Sequence, residues 1–434
     1  MTNRISDESP SRRLMMAGAV WAFISAAVRS RRPDQILQAP LPGLASAATI
    51  VPLAGVSLVV SEFPMHMLAV ELAAAALMWR GALRQRRGLL GLGLAAAAWI
   101  GLLGARRDAQ RASDVLAESL CAALGKGYAD RLRHDVPANS KVTLRQIWFP
   151  RLTERKRYLQ NENLSYGDGG IRNNLDIWRR KDLPLDGRAP VLIQIHGGAW
   201  VTGSKRGQGY PLMAHMAEKG WVCVAINYSL APAARWPAHI IDVKRAIAWV
   251  KREIDSYGGD PDFVVVTGGS AGGHLSALAA LSANDPVFQP GFEEADTSIQ
   301  AAVPLYGVYD LLDRAGDSPV QQEPFLTRIL IGASREDAYE IWDKGSPLSW
   351  IRPDAPPVFV IHGGMDTFTN PSQARAFTSA LRQVSESPVA YAELPGAQHS
   401  FDVLPSVRTA AAVAAIDEFL SWCALPNRRG ALES

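Results

Sequence analysis

From about residue 150 onward, short and nearly continuous apolar runs alternate with longer stretches in which apolar residues recur at helical spacing. The runs near 191–195, 221–226, 263–267, 299–303, 358–361 and 389–394 predict strands buried on both faces. Between and after them, residues near 210–219, 237–254, 271–283, 371–384 and 406–423 predict helices. Two further runs, 157–164 and 174–178, predict an antiparallel start. Such alternation implies a mostly parallel sheet with helices on both faces and an active site along the C-terminal edge of the strands. Residues 306–350 break the rhythm with Phe325, Leu326, Ile329, Leu330, Ile331, Trp342 and Trp350, more apolar side chains than a plain connection needs. This segment is expected to form a lid or an acyl-pocket wall.

The first hundred residues follow another pattern. Apolar runs at 43–60, 64–79 and 88–104 each approach the ~17–20 residues that cross a bilayer. Arginines 29, 31 and 32 precede the first run, and arginines 80, 84, 86 and 87 fill the second connection, which predicts a cytoplasmic N-terminus and an external catalytic part. Arg106, Arg107 and Arg111 oppose that topology. Glu71 and His66 lie inside the second run, so either they have a functional or pairing role there or, the reading preferred, this run only skims the interface. The alternative is a set of hydrophobic helices packed on the catalytic part. A cleaved signal peptide is not expected, because no apolar run begins near Met1. Residues 112–133 space Leu116, Leu120, Leu124, Tyr128 and Leu132 four apart, which predicts a packing helix or a cap. The resulting organisation is a basic segment 1–42, apolar membrane-associated helices 43–105, a helical connector or cap 106–150, a catalytic domain 151–425 and a tail 426–434.

With 434 residues and 48% hydrophobic composition, the chain can bury a large core. Its net charge of +3 is unevenly spread: residues 1–135 carry 16 Lys or Arg against 10 Asp or Glu, the remainder 29 against 32. Because the basic excess lies beside the apolar runs, it suits membrane flanks, and no nucleic-acid motif argues otherwise. Cys121, Cys223 and Cys423 are too few and scattered for a disulfide framework or a metal site, and Cys223 sits mid-strand as an inert thiol. No His-Glu-x-x-His, no acidic cluster at ligand spacing and no Gly-x-Gly-x-x-Gly occurs, so neither a metal nor a nucleotide cofactor is expected.

The chemistry lies at the strand ends. Gly268-Gly269-Ser270-Ala271-Gly272 directly follows the run Phe263 to Thr267 and precedes a helix-forming stretch. Strand, tight turn and helix in that order make a nucleophile elbow, with Ser270 presented above the sheet. The run 191–195 ends in His196-Gly197-Gly198-Ala199-Trp200, where glycines leave backbone N–H groups unobstructed, as an oxyanion hole requires. The expected donors are Gly197, Gly198 and Ala271. The run 358–361 leads to Asp366, and 389–394 leads to His399. Among eight histidines, only His399 follows the last strand. It is expected to take the Ser270 proton while Asp366 holds its tautomer, with Asp402 and Asp310 as other conceivable acids. His196 is expected to shape the glycine turn. Trp200, Tyr228 and Trp236 are candidates for the pocket wall, weighed against ordinary burial.

At these residues the chain resembles the α/β-hydrolase superfamily, specifically its hormone-sensitive-lipase-like esterases, over roughly residues 150–425. Further marks are Asn227-Tyr228-Ser229-Leu230-Ala231-Pro232, Trp236-Pro237-Ala238, Asp260-Pro261 and His399-Ser400-Phe401. Two departures stand out: Ala199 where the family often has a third glycine, and Gly269 where it often has an acid. The His-Gly-Gly-Ala-Trp form is similar to the branch holding arylformamidases and membrane-anchored actinobacterial carboxylesterases. The resemblance implies an α/β-hydrolase fold and a serine carboxylesterase acting on short to medium acyl esters through an acyl-enzyme, with a small-molecule ester or lipid as substrate and membrane lipid as partner. An arylformamidase-type amidase, or a catalytically silent binding protein on the same fold, are the alternatives.

Overall fold

A computed structural model describes residues 47–82, 86–132, 150–318 and 322–433. The basic segment 1–42, part of the connector and Ser434 lie outside the described residues. Helices α1 (Ala47–Glu62), α2 (Pro64–Ala82), α3 (Arg86–Leu124) and α4 (Tyr128–Leu132) precede α5 (Pro150–Tyr158) and the strands β1 (Leu159–Ser165) and β2 (Asn174–Trp178). Then follow β3 (Ala189–Ile195), α6 (Tyr210–Glu218), β4 (Val222–Ile226), α7 (Ala238–Glu253), β5 (Gly259–Gly269), α8 (Ala271–Leu281) and β6 (Ala301–Leu305). Short helices α9 (Gln322–Phe325) and α10 (Tyr339–Lys344) lead to β7 (Val358–Gly363), α11 (Pro371–Val384), β8 (Val389–Leu394) and α12 (Val407–Glu433).

The eight strands form one sheet in the order β1-β2-β4-β3-β5-β6-β7-β8. Only the β1–β2 and β2–β4 pairings are antiparallel. From β4 to β8 all neighbours are parallel, so these strand C-termini share one edge. Parallel pairing needs a crossover between strands, and the crossover helices bury both faces. Val264 and Val266 of β5 accordingly belong to one core, whereas Phe263 and Val265 belong to the other. Cys223 is fully buried on β4, and burial pushes its thiol pKa up, as an inert core thiol requires. The 306–350 segment is packed down rather than free: Leu326, Leu330 and Trp342 are buried in the first core, and the Trp236 N–H donates to the Leu330 carbonyl at 2.9 Å.

The amino-terminal expectations are partly corrected. Helix α3 runs unbroken across residues 105 and 106, with Leu102, Ala112, Leu116 and Leu120 buried along it. Its later turns thus pack in the second core, while Leu102 meets Val60 of α1 and Leu68 of α2. Three membrane spans are not supported. Among the described residues no single helix is long and apolar enough to cross a membrane, although Gly55–Glu62 and Pro64–Ala76 together have the length and composition and meet at 91°.

Candidate active site

Ser270 links the end of β5 to the start of α8, with φ 59° and ψ −121°. That backbone region is unfavourable for a side-chain-bearing residue, and surrounding packing maintains it. Glycines make the packing possible. A Cβ at 268 would sit 2.4 Å from the Ile195 carbonyl oxygen, and one at 272 would sit 2.2 Å from the same atom. A side chain at 269 would collide with Tyr306, whose hydroxyl is 2.3 Å from where a Cβ would stand. That hydroxyl donates to Asp402.

His399 and Asp366 meet from loops after adjacent strands, Nδ1 to Oδ2, at 2.7 Å. Asp366 is fully held. Its Oδ1 accepts the N–H groups of Phe368 and Thr369 at 2.9 Å each, and its Oδ2 also accepts the Thr369 hydroxyl at 2.9 Å. Burial alone would raise its pKa, but His399 and His362 outweigh burial and hold the carboxyl far below the ordinary range. The other conceivable acids are engaged elsewhere: Asp402 with Tyr306, and Asp310 with Arg314 at 2.6 Å. The rings of Tyr306 and Phe368 lie 4.8 and 5.3 Å from the His399 ring, edge-on.

The glycine loop after β3 is shaped from several sides. His196 Nδ1 donates to the Gly197 carbonyl at 2.7 Å while its ring stacks on Tyr228, and burial lowers its pKa to about 4. Gly198, Ala199 and Trp200 all have positive φ, at 119°, 51° and 60°. A glycine at 199 would relieve that conformation, which is the physical content of the familial third glycine. Of the expected donors, Gly197 directs its N–H to Gln208 Oε1 at 2.7 Å. Among the described residues the amides of Gly198 and Ala271 carry no hydrogen bond, nor does that of Ala199, which was not among the expected donors. Ala271 is the first residue of its helix, where no intrahelical acceptor exists.

Of the two readings weighed for the pocket candidates, the described contacts are those of burial. Tyr228 is fully buried, and its hydroxyl donates to the His196 carbonyl at 2.9 Å, so it supports the glycine loop from beneath instead of lining a pocket. Trp200 and Trp236 are buried against His274, with ring centroids 5.2 and 5.3 Å away. The Trp200 indole N–H donates to His274 Nδ1 at 3.2 Å, and His274 Nε2 donates to the Gly345 carbonyl at 2.7 Å. His274 thereby ties the oxyanion loop, the elbow helix and the 306–350 segment together. Among the described residues no cluster of His, Cys, Asp or Glu is arranged to hold a metal.

Known proteins resemble this chain to different depths. The BD-FAE family model matches residues 175–381. A solved structure of Thermogutta terrifontis Est2 with butyrate bound is 24% identical, covering 60% of this chain and 93% of that one with a TM-score of 0.52, which is likeness of fold. Esterase LipQ of Mycobacterium tuberculosis is 48% identical over 74% of this chain and 77% of its own length. The probable carboxylic ester hydrolase LipM of the same organism is 48% identical over 84% of this chain and 85% of its own. The chain belongs to the family of carboxylic ester hydrolases that includes LipM.

Proposed function

We propose that this protein hydrolyses carboxylic esters through an acyl-enzyme formed on Ser270, with His399 as the base and Asp366 as its orienting acid. The observation carrying this reading is the 2.7 Å contact between His399 Nδ1 and Asp366 Oδ2 on the same sheet edge as the positive-φ Ser270. Asp366 keeps the hydrogen on Nδ1, so Nε2 is free to take the Ser270 proton as Oγ attacks the ester carbonyl. The amides of Gly198 and Ala271, joined by that of Ala199, stabilise the oxyanion. His399 returns the proton to the leaving alcohol, and water then attacks the acyl-enzyme with His399 again as base.

Short to medium acyl chains are the proposed substrates. A lipase lid must lift, whereas Leu326, Leu330 and Trp342 are embedded in the core and His274 bonds across to Gly345. The proposed location is at a membrane, with the hydrolase domain on the external face and lipid against the amino-terminal helices. Val70 and Ile100, 64% and 68% exposed, support that contact.

A chain-length series of aryl esters, run beside N-formyl aryl amides and emulsified triacylglycerol, tests the reading. Peak kcat/KM on soluble short to medium esters is the expected outcome. A preference for the formyl amides would make the protein an amidase, and a preference for the emulsion would make it a lipase.

A further inference from the structure

Glu62 lies in the bend between α1 and α2, far from His399 in sequence. Its side chain is nevertheless fully enclosed with that of Arg408, in the first turn of α12. The Arg408 guanidinium donates to Glu62 Oε1 through Nη1 and to the Pro395 carbonyl through Nη2, the latter at 3.0 Å. Glu62 Oε2 accepts the Ser406 hydroxyl at 2.5 Å, Ser406 Oγ accepts the Thr409 backbone N–H at 3.1 Å, and the Thr409 hydroxyl is shared between the Leu404 and Phe401 carbonyls at 2.5 and 2.9 Å. One carboxylate thus holds both flanks of the loop that carries His399. Pro395 precedes the histidine by four residues, and Phe401 follows it by two. Gly396, with φ 65°, brings the same loop against α3, where a Cβ would lie 3.2 Å from Asp108 Cβ.

We propose that Glu62 is a positioning residue for catalysis: through Arg408 and Ser406 it fixes the His399 loop, so that the amino-terminal helices complete the active site. This rests on the reading of His399 as the base. A buried charge pair contributes little net stability against a well-packed apolar substitute, yet removing one partner leaves the other uncompensated. Its value here is geometric. A displacement of about 1 Å at a reacting group, caused from a distance, lowers turnover by as much as ~100-fold.

The test uses the full-length enzyme, with kcat and KM measured on a soluble aryl butyrate for Glu62→Gln, Glu62→Asp, Ser406→Ala and His399→Ala, and folding followed by thermal melting. Folded Glu62→Gln is expected to lose on the order of ten-fold in kcat while KM stays within about two-fold, with Glu62→Asp recovering most of the loss. A folded Glu62→Gln with wild-type kcat overturns the proposal, as does a rise in KM alone. If Glu62→Gln does not fold, Ser406→Ala, which cuts one arm only, is judged by the same split. His399→Ala separates the two readings: wild-type activity there removes the base assignment itself, whereas an inactive His399→Ala beside an unaffected Glu62→Gln overturns only the coupling.

Discussion

Gly269 and Tyr306 occupy one shared space: the Tyr306 hydroxyl stands 2.3 Å from the position a Cβ on residue 269 would take. The ring cannot retreat easily, because it is fully buried and its hydroxyl is bound to Asp402. Gly269→Ala is therefore expected to cost about 1–3 kcal/mol, the usual range for overpacking, and to lower kcat because Tyr306 also packs on His399. Denaturant unfolding and steady-state kinetics measure the two effects. Wild-type stability in Gly269→Ala would show that the space is not shared.

Ser270→Ala should abolish ester hydrolysis in a folded protein, by roughly 10⁴-fold or more. Asp366→Asn should also be severe, since an amide facing His399 Nδ1 no longer holds the hydrogen there, and losses approach ~10⁴-fold where that tautomer fails. Combining Ser270→Ala with His399→Ala should add little to either alone. Asp310→Asn, whose acid bonds Arg314, should retain turnover. The acid would be wrongly assigned if Asp310→Asn inactivated and Asp366→Asn did not.

Much of this site was legible because each of its parts follows a strand buried on both faces. Such strands read as apolar runs, and the loops after them carry Ser270, Asp366 and His399 in chain order. What escaped depends on chain returning from elsewhere. Gln208 takes the Gly197 amide only after the loop folds back, and Tyr228 turns beneath His196 because its hydroxyl finds a carbonyl there. The Glu62–Arg408 pair joins residues 346 positions apart, a separation at which local pattern says nothing. Conversely, the departures at Ala199 and Gly269 were visible as departures, but the positive φ that Ala199 must bear and the ring that fills the space beside Gly269 were not.

Gln208→Leu is expected to disturb the oxyanion loop by leaving the Gly197 N–H without its acceptor. Orphaning a part-buried amide costs about 1–3 kcal/mol, and part of that should emerge as a fall in kcat through the adjacent Gly198 donor. Unchanged melting and unchanged kcat would show that water replaces Gln208 at no cost.

Stability should fall on mild acidification. Burial lowers the pKa values of His196, His239 and His274 from an ordinary 6.5 to about 4. The unfolded chain therefore binds protons that the folded one refuses between those values, so the stability these groups contribute is complete above pH 6.5 and is lost as pH falls towards 4. At pH 5 each accounts for on the order of 2 kcal/mol. Asp366 adds little to this window, because above its ordinary value of 3.8 the carboxyl is ionised in the unfolded chain as well as in the folded one, and its contribution is lost only at lower pH. Urea midpoints should decline steadily from pH 6.5 to 4, and a flat profile over that range would contradict the neutral burial of all three rings.

Lipid contact is expected to depend on the outward apolar faces of α2 and α3. Val70 and Ile100 are the most exposed of the described large apolar residues on these helices, while Leu68 and Leu102 hold the helices together from within. A Val or Ile side chain withdrawn from water yields roughly 1.5–3 kcal/mol, so losing one contact should weaken partitioning by about ten-fold or more. Val70→Asp and Ile100→Asp should each shift full-length protein from the vesicle pellet to the supernatant in a flotation or sedimentation assay, without changing kcat on a soluble ester. Because neither residue belongs to the Glu62–Arg408 contact, the two effects separate: vesicle binding falls while the His399 loop stays in place. If both variants bind vesicles as wild type does, lipid is held elsewhere, and these faces are not the contact.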